Sequence, residues 1–493
     1  MNKRRRSMHA RPEMIKILAA VVSLSVVLAG CGGSNGGGES DTGNAGSNAD
    51  ADAGAKANDA AGTGNAAGAG NEAAAGDKNA DAAGGDAAAG SGEKITLTLW
   101  GWSGKFQTDF TKIVIGEFEK EHPNIKVKYM PDQGGNDKLT TLIAGGTPPD
   151  VAILDRFLAG AWAAKGSLES LTPYLEMDSE ISGNDYYPAV WAEGNYNNEA
   201  YAMPFGTDNR GLYYNKTLMK EAGLDPNKPP TTIDELDSMA EKIFKKSTSG
   251  GYEQVGFIPW MGQSYLYTQS WNFGGEWTKD GELTPNDPQI VKTLEWMTGY
   301  AKKYDMAKIN KFNDVMGKTG INPFWTGKVG FMVDGNWILN DLKSNAKVKP
   351  TFEWSVAPMP SEEGYPQTTW AGGWSFAMPK GGKHPQEAWE LLKFITGYKG
   401  TLLWAKRADA GNDITAMPKV NEEIKIADNP QLKVFLDMMP NAHFRPVTPA
   451  GQKMWDETFR VQDLALNGKG EPKKLLDEVK KNVDSELKKL QAK

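Results

Sequence analysis

Two carboxylates and six tryptophans are the residues of this chain best suited to chemistry. Asp155 is followed at once by Arg156, and Asp208 lies six residues before Tyr214. Carboxylate and guanidinium groups form charge-assisted hydrogen bonds, which are stronger than neutral ones. Trp102, Trp271, Trp277, Trp337, Trp370 and Trp374 each stand beside glycine or polar loop residues. Flat apolar rings next to hydrogen-bonding groups suit a molecule with a C–H face and a rim of hydroxyls, as a sugar ring has. The plainer role of any one tryptophan is core, and Trp162, Trp296 and Trp389, set in helical patterns, are expected to take it. Asp155 and Arg156 have a plainer role too, capping the following helix and pairing with each other.

Asp155 and Asp208 could instead flank a scissile bond, as in a glycoside hydrolase. That chemistry needs one carboxyl held protonated, and a guanidinium next door works against it. No GxSxG, GxxxxGK[ST] or HExxH run occurs in the body, 93–493; His9, His122, His384 and His443 are scattered, and the one cysteine is Cys31. No catalytic residue, metal centre or cofactor is therefore expected, and energy for any transport comes from partners. Charge excludes another class. Residues 1–31 carry a net +5 and 32–92 a net -7, which leaves 93–493 at -5 out of a total of -7. A mildly acidic body without a basic stripe has nothing to neutralise phosphates, so nucleic acid is not an expected partner.

Three regions must position these residues. The basic start, the apolar run 17–27 and the ending Leu28-Ala29-Gly30-Cys31 read as a secretory signal with a bacterial lipobox, the cysteine being the lipidation site. The apolar run falls short of the roughly 20 residues a membrane span needs. Residues 32–92 are nearly all Gly, Ala, Ser, Asn and Asp, and cannot bury enough surface to offset ordering. They read as a disordered tether about 40–45 Å from end to end.

The body begins with an alternating strand at 95–100, an amphipathic helix ending near His122-Pro123, a strand at 125–129, a helix at 138–144 and a strand at 151–154. Strands alternating with helices imply βαβ units and a mainly parallel sheet. Ligands of such sheets sit beyond the carboxyl ends of strands, which places Trp102 and Asp155-Arg156 for contact. Further strands are expected at 211–215, 329–333 and 374–378, and a charged C-terminal helix at 472–490. Thr232 with Glu235 makes a capping box.

Several stretches carry a family likeness through their order and spacing: Gly145-Gly146-Thr147-Pro148-Pro149-Asp150-Val151, Ala202-Met203-Pro204-Phe205, Tyr214-Asn215-Lys216, Gly327-Lys328-Val329-Gly330-Phe331-Met332 with Gly335-Asn336-Trp337, and Gly372-Gly373-Trp374-Ser375. Over 93–493 the chain resembles the extracellular solute-binding proteins that include the maltose/maltodextrin-binding proteins. The resemblance implies an α/β, two-lobe periplasmic-binding-protein-like fold with hinge-crossing strands and a ligand cleft between the lobes. It implies lobes at 93–207 with 376–411 and at 208–375 with 412–493, with crossings near 206–209, 371–376 and 410–417. It further implies that Asp155, Arg156 and Asp208 contact sugar hydroxyls and that Trp337 stacks on a ring. Trp102, Trp370, Gly373 and Trp374 are expected to line the cleft, with Tyr265 and Trp271 from a looser segment and Arg445 near the last crossing. The implied role is an extracytoplasmic, lipid-anchored monomer that hands a carbohydrate, an oligosaccharide by its tryptophan content, to ABC permease subunits. It touches the membrane only through its lipid. A ligand-sensing module of the same fold is the other reading.

Overall fold

The computed structural model describes residues 93–407 and 413–491. The leader, Cys31, the segment 32–92 and the 408–412 part of the last crossing lie outside the described residues.

A five-stranded sheet grows from the alternation at 95–100. Ile95–Gly101 pairs in parallel with Ile125–Pro131 on one side and Val151–Asp155 on the other. The connection after the first strand is helical throughout, Lys105–Phe110 running through a π turn at Thr111–Ile115 into Gly116–Glu121. It stops at His122, since the ring of Pro123 cannot continue a helix. Phe110, Val114 and Phe118, four residues apart, are buried on its sheet-facing side. Trp374–Ala377 and Met203–Pro204 complete the sheet and run antiparallel to their neighbours.

A second sheet places Arg210–Asn215 between Phe331–Gly335 and Trp354–Ala357, antiparallel throughout. In these two sheets the expectation of mainly parallel pairing thus holds for only three strands. Parallel neighbours need a crossover connection. Trp374–Ala377 instead arrives from the other sheet, entering at the edge where Val151–Asp155 leaves, so the two run in opposite directions.

Among the described residues, three of four apolar cores bear on the site, the fourth (Trp100, Leu139, Ala152, Leu154) lying on the other face of the first sheet. One covers the near face of the first sheet (Leu97, Leu99, Phe110, Phe376) and one the second sheet (Leu212, Tyr213, Phe331, Val356). The third is helical, built from Leu266–Asn272, Pro288–Tyr304, Gly451–Leu466 and Pro472–Gln491. The chain passes between sheets at 206–209 and 370–373, and a third segment joins them. Ile414–Thr415 pairs antiparallel with Gly206–Thr207, Asp208 bridges to Gly372, and the Thr207 hydroxyl donates to the Gly372 carbonyl at 3.1 Å. After residue 413 the chain serves both main cores: Ala416, Met417, Val420 and Met439 pack in the first, Ile414 and Phe435 in the second. That departs from placing all of 412–493 with the second lobe. Short amphipathic turns can alternate between cores, and a linear boundary does not capture it.

Candidate functional site

Register brings the candidates to two sheet edges. Trp374 stands opposite Asp155, so the end of one strand and the start of its antiparallel neighbour share the first edge with Trp102, just past Gly101. Gly335 stands opposite Arg210 at the second edge, which brings Asp208 and Trp337 together there. The crossing strands join these edges. Gly373, at φ +124°, lies against the carbonyl of Gly206, and a Cβ there would come 2.6 Å from that oxygen. A side chain at Gly372 would meet the Asp208 carboxylate at 2.8 Å.

At the first edge the Asp155 side chain is 29% exposed. Its Oδ1 accepts from Arg445 Nη2 at 2.7 Å, while Oδ2 has no protein donor among the described residues. Arg156 corrects the sequence reading. It is fully buried, and its donors go to the carbonyls of Gly206 (3.0 Å), Gly372 (2.5 Å) and Trp374 (3.4 Å) and to Glu193 (3.1 Å). The next residue after a strand points away from the edge that Asp155 faces, so Arg156 supports the site from beneath and offers no ligand contact. Neither does it pair with Asp155. Glu193, also fully buried, accepts from Arg156 and, through its other oxygen, from Arg445 Nε at 3.2 Å.

At the second edge the Asp208 side chain is 22% exposed, and its Oδ1 accepts from Arg210 Nη1 at 2.5 Å. Arg210 donates further to the Trp370 carbonyl (3.2 Å) and Gln263 (3.4 Å), and its cation lies 3.7 Å from the Trp370 ring centroid and 5.1 Å from that of Trp337. Trp337 is half-buried, folded over Gly335 so closely that a Cβ there would come 1.9 Å from its ring.

The aromatic residues sort by burial. Trp102 and Trp374 are half-buried at the first edge, edge-to-face with centroids 4.7 Å apart. Tyr265 is half-buried, 4.9 Å from Phe459 and within reach of Gln263. Trp271, Trp277 and Trp370 are buried in the helical core or at its border, which corrects Trp271 and Trp370 as ring platforms. Trp271 stacks nearly parallel on His443, Trp277 on Tyr267, and Trp370 carries Arg210 on its face. Of the tryptophans expected in core, Trp162 and Trp389 are buried and Trp296 is half-buried. Glu193, Arg210, Gln263 and Trp455 were not singled out from the sequence. Trp455, half-buried, touches the rings of Phe157, Tyr267, Trp370 and Phe459. It sits on an amphipathic helix, where a tryptophan reads as core.

Residues 100–401 match the model of the family described as bacterial extracellular solute-binding protein. The chain belongs to that family. A putative binding protein of Brucella abortus is 28% identical over 417 residues, covering 82% of this chain and 95% of the relative. The diacetylchitobiose binding protein DasA of Streptomyces coelicolor is 26% identical, covering 66% of this chain and 74% of its own. Among solved structures, CpMnBP1 with mannotriose bound superposes with a TM-score of 0.67 at 27% identity, covering 79% of this chain and all of that one.

As a member of the extracellular solute-binding proteins, this chain works outside the cytoplasm, and its α/β two-lobe architecture is the family's. Among the described residues no helix is long and apolar enough to cross a membrane, and no group of side chains could hold a metal ion. A surface concavity of about 630 Å³ near Tyr174, Met177 and Lys380 shares no residue with the site.

The site is balanced in charge: Asp155, Glu193 and Asp208 face Arg156, Arg210 and Arg445. Burial pushes the Glu193 carboxyl up, against the pull of Arg445 and Arg156. Burial also works against the Arg445 cation, but Asp155 and Glu193 outweigh it and raise its pKa. Burial lowers Arg156 and Arg210, with the neighbouring carboxylates opposing. Guanidinium groups stay protonated regardless. Most of their donors are spent on protein acceptors, so what the two edges offer outward is mainly carboxylate oxygen and aromatic face.

Proposed function

We propose that this protein binds a neutral oligosaccharide between the two sheet edges and delivers it to ABC permease subunits in the membrane. One observation carries the reading. Asp155 and Asp208 each have one oxygen clamped by an arginine and the other without a protein donor among the described residues. Hydroxyls are natural donors to such oxygens, and charge-assisted bonds of this kind are strong. Trp102, Trp374, Trp337 and Tyr265 supply flanking ring surface, with Trp455 behind them, and Gly373 lets backbone approach. Balanced charge favours a neutral ligand over an ionic one. The diacetylchitobiose and mannotriose named for the relatives support an oligosaccharide.

Sugar touching both edges favours the closed arrangement of the lobes by binding it more tightly than the open one. The segments near 206–209, 371–376 and 410–417 act as the hinge between lobes assigned essentially to 93–207 with 376–411 and to 208–375 with 412–493, the short turns at 416–420 and Met439 excepted. Residues 1–31 direct export, Cys31 carries the lipid, and 32–92 leash a monomeric body near its partner. Both outward carboxylates are held by guanidinium groups, an arrangement for gripping hydroxyls and not for donating a proton, so the sugar leaves unhydrolysed.

A thermal-shift screen of the intact protein against neutral mono- and oligosaccharides, with calorimetric titration of the best, tests this. A true ligand at about 100–1,000 times its dissociation constant adds roughly 2–4 kcal/mol of stability. The gain should fall in Trp337→Ala, and chromatography should recover the sugar intact. Absence of any shift, or cleavage of the sugar, sinks the reading. For the anchor, Cys31→Ser should move the protein from the membrane fraction to the medium.

A further inference from the structure

We infer that Glu193 is a positioning residue: by holding Arg445 it keeps one oxygen of Asp155 free for ligand, and by holding Arg156 it ties that carboxylate to the crossing strands. The inference rests on the sugar-binding reading of the site.

Glu193 ends the short helix Pro188–Glu193 and is 0% exposed. Its two oxygens serve two different arginines: Oε2 accepts from Arg156 Nε at 3.1 Å and Oε1 from Arg445 Nε at 3.2 Å. Taking a carboxylate out of water is costly and persists only where partners are well placed. Here the partners come from opposite directions along the chain, 37 residues before Glu193 and 252 after it.

The division of Arg445's donors is the informative feature. An arginine beside a carboxylate favours the two-pronged pair, in which neighbouring N–H groups take both oxygens. Arg445 does not do this with Asp155. Its Nε is committed to Glu193, only Nη2 reaches Asp155, and it reaches Oδ1 alone, at 2.7 Å. Its plane is fixed by the rings of Phe157 at 4.1 Å and Trp370 at 5.0 Å. Without Glu193 the guanidinium is free to close on both oxygens of Asp155 and remove the acceptor a sugar hydroxyl needs.

The other half of the link runs to the hinge. Arg156, held by the same Glu193, donates to the carbonyls of Gly206 and Gly372, which belong to two different crossing strands. An unbroken hydrogen-bonded path thus joins Asp155, Arg445, Glu193, Arg156 and the crossing strands. A merely structural Glu193 predicts lower stability in its variants but no dependence on Asp155. A positioning Glu193 predicts that its effect on binding disappears once Asp155 can no longer be captured.

The test is a double-mutant cycle, titrating the neutral oligosaccharide that binds the intact protein most tightly. Glu193→Gln should weaken binding by roughly tenfold to a hundredfold, the worth of a charged hydrogen bond. Added to Asp155→Asn it should cost no more than about twofold further, since coupled sites are not additive. Unchanged affinity in Glu193→Gln, or a full additional loss in the double variant, overturns the inference while leaving sugar binding intact. Should Glu193→Gln fail to fold, Glu193→Asp keeps the charge and shortens the reach, and the same cycle applies with a smaller loss. If no sugar binds the intact protein, the reading beneath has failed. Amide exchange then judges the hinge link alone: Glu193→Gln should speed exchange at 206–209 and 372–374 without changing that of helix Pro472–Gln491, and equal rates overturn it.

Discussion

The two sheet edges each bury a carboxylate next to the site, and they do it differently. Glu193, below the first edge, is met by two guanidinium groups. Asp334, one residue before Gly335 at the second edge, is met at close range, among the described residues, only by neutral donors: the Gly335 N–H at 2.8 Å and the Asn322 amide at 2.9 Å. Burial pushes the Asp334 carboxyl up to about 6, and those two donors with the more distant Arg210 only partly oppose it. Burial raises the Glu193 carboxyl as well, but two guanidinium groups oppose it and fix its place, whereas Asp334 has only neutral partners within hydrogen-bond reach among the described residues. The first edge is therefore built to hold a fixed geometry, and the second keeps a pH-dependent element under its strand end.

The largest effect should come from breaking the joint. Arg156→Met removes one partner of a fully buried pair and leaves the carbonyls of Gly206 and Gly372 without their donor. Removing one member of such a pair costs about 3–5 kcal/mol. Urea denaturation should show that loss as a lower midpoint with an unchanged slope. A loss below about 1 kcal/mol would mean that the joint is not what holds the first edge.

At the second edge, removing charge should act with the opposite sign. The native state binds a proton at Asp334 more tightly than the unfolded chain, whose value is near 3.8. The cost of the buried charge is therefore fully present above about pH 6 and is relieved as pH falls from about 6 toward 3.8. Asp334→Asn keeps an acceptor for the Gly335 N–H and removes the charge, but turns the oxygen that accepts from the Asn322 amide into a donor facing it. The removed charge is worth roughly 2–3 kcal/mol at pH 8, one pKa unit being about 1.4 kcal/mol, and the lost bond offsets about 1–3 kcal/mol of it, so the net shift at pH 8 should be small. The substitution should flatten the stability curve between pH 4 and 6. Denaturation midpoints at pH 4.5 and 8 for the two proteins check this; equal pH dependence would place Asp334 in a wetter setting than its burial indicates.

Binding provides a finer comparison of the edges. Asp155→Asn and Asp208→Asn each preserve the oxygen that accepts from arginine and can turn the outward atom from acceptor to donor. Loss of one charged hydrogen bond, about 1.5–3 kcal/mol, corresponds to roughly a tenfold to hundredfold weaker sugar complex. If the ligand spans both edges, calorimetry should find comparable losses in the two variants. Loss in one alone would confine the sugar to one lobe and remove the basis for ligand-driven closure.

The sequence announced these regions unequally, for physical reasons. The strand ends at Gly101 and Asp155 were legible because alternation and turn residues mark them locally, and Thr232 and Glu235 do form their capping box, the Glu235 N–H donating to the Thr232 hydroxyl at 3.2 Å. Arg210 was equally near its partner Asp208 but stood just before the strand expected at 211–215, where a polar residue gives no sign of its direction. Arg445 lies 290 residues from Asp155, a pairing that no local pattern encodes. Arg156 was misread because the resemblance carried it to the ligand together with Asp155, although consecutive residues after a strand face opposite ways. The helical core was missed since amphipathic helices declare that they pack, not on what.

The smallest effect provides the control that burial, and not charge pairing as such, separates these cases. Lys433 and Asp437 form an i,i+4 pair with side chains 56% and 62% exposed. Water screens both partners, and holding two long side chains together costs entropy, so such pairs contribute about 0.3–0.5 kcal/mol. Lys433→Met keeps the aliphatic stem and the helix propensity and removes the ammonium group. Its denaturation midpoint should lie almost on that of the parent protein, and raising the salt concentration should narrow the gap further. A loss approaching that of Arg156→Met would show that ion pairs stabilise this fold wherever they occur. The contrast between Glu193 and Asp334 would then need another cause than the partners each is buried with.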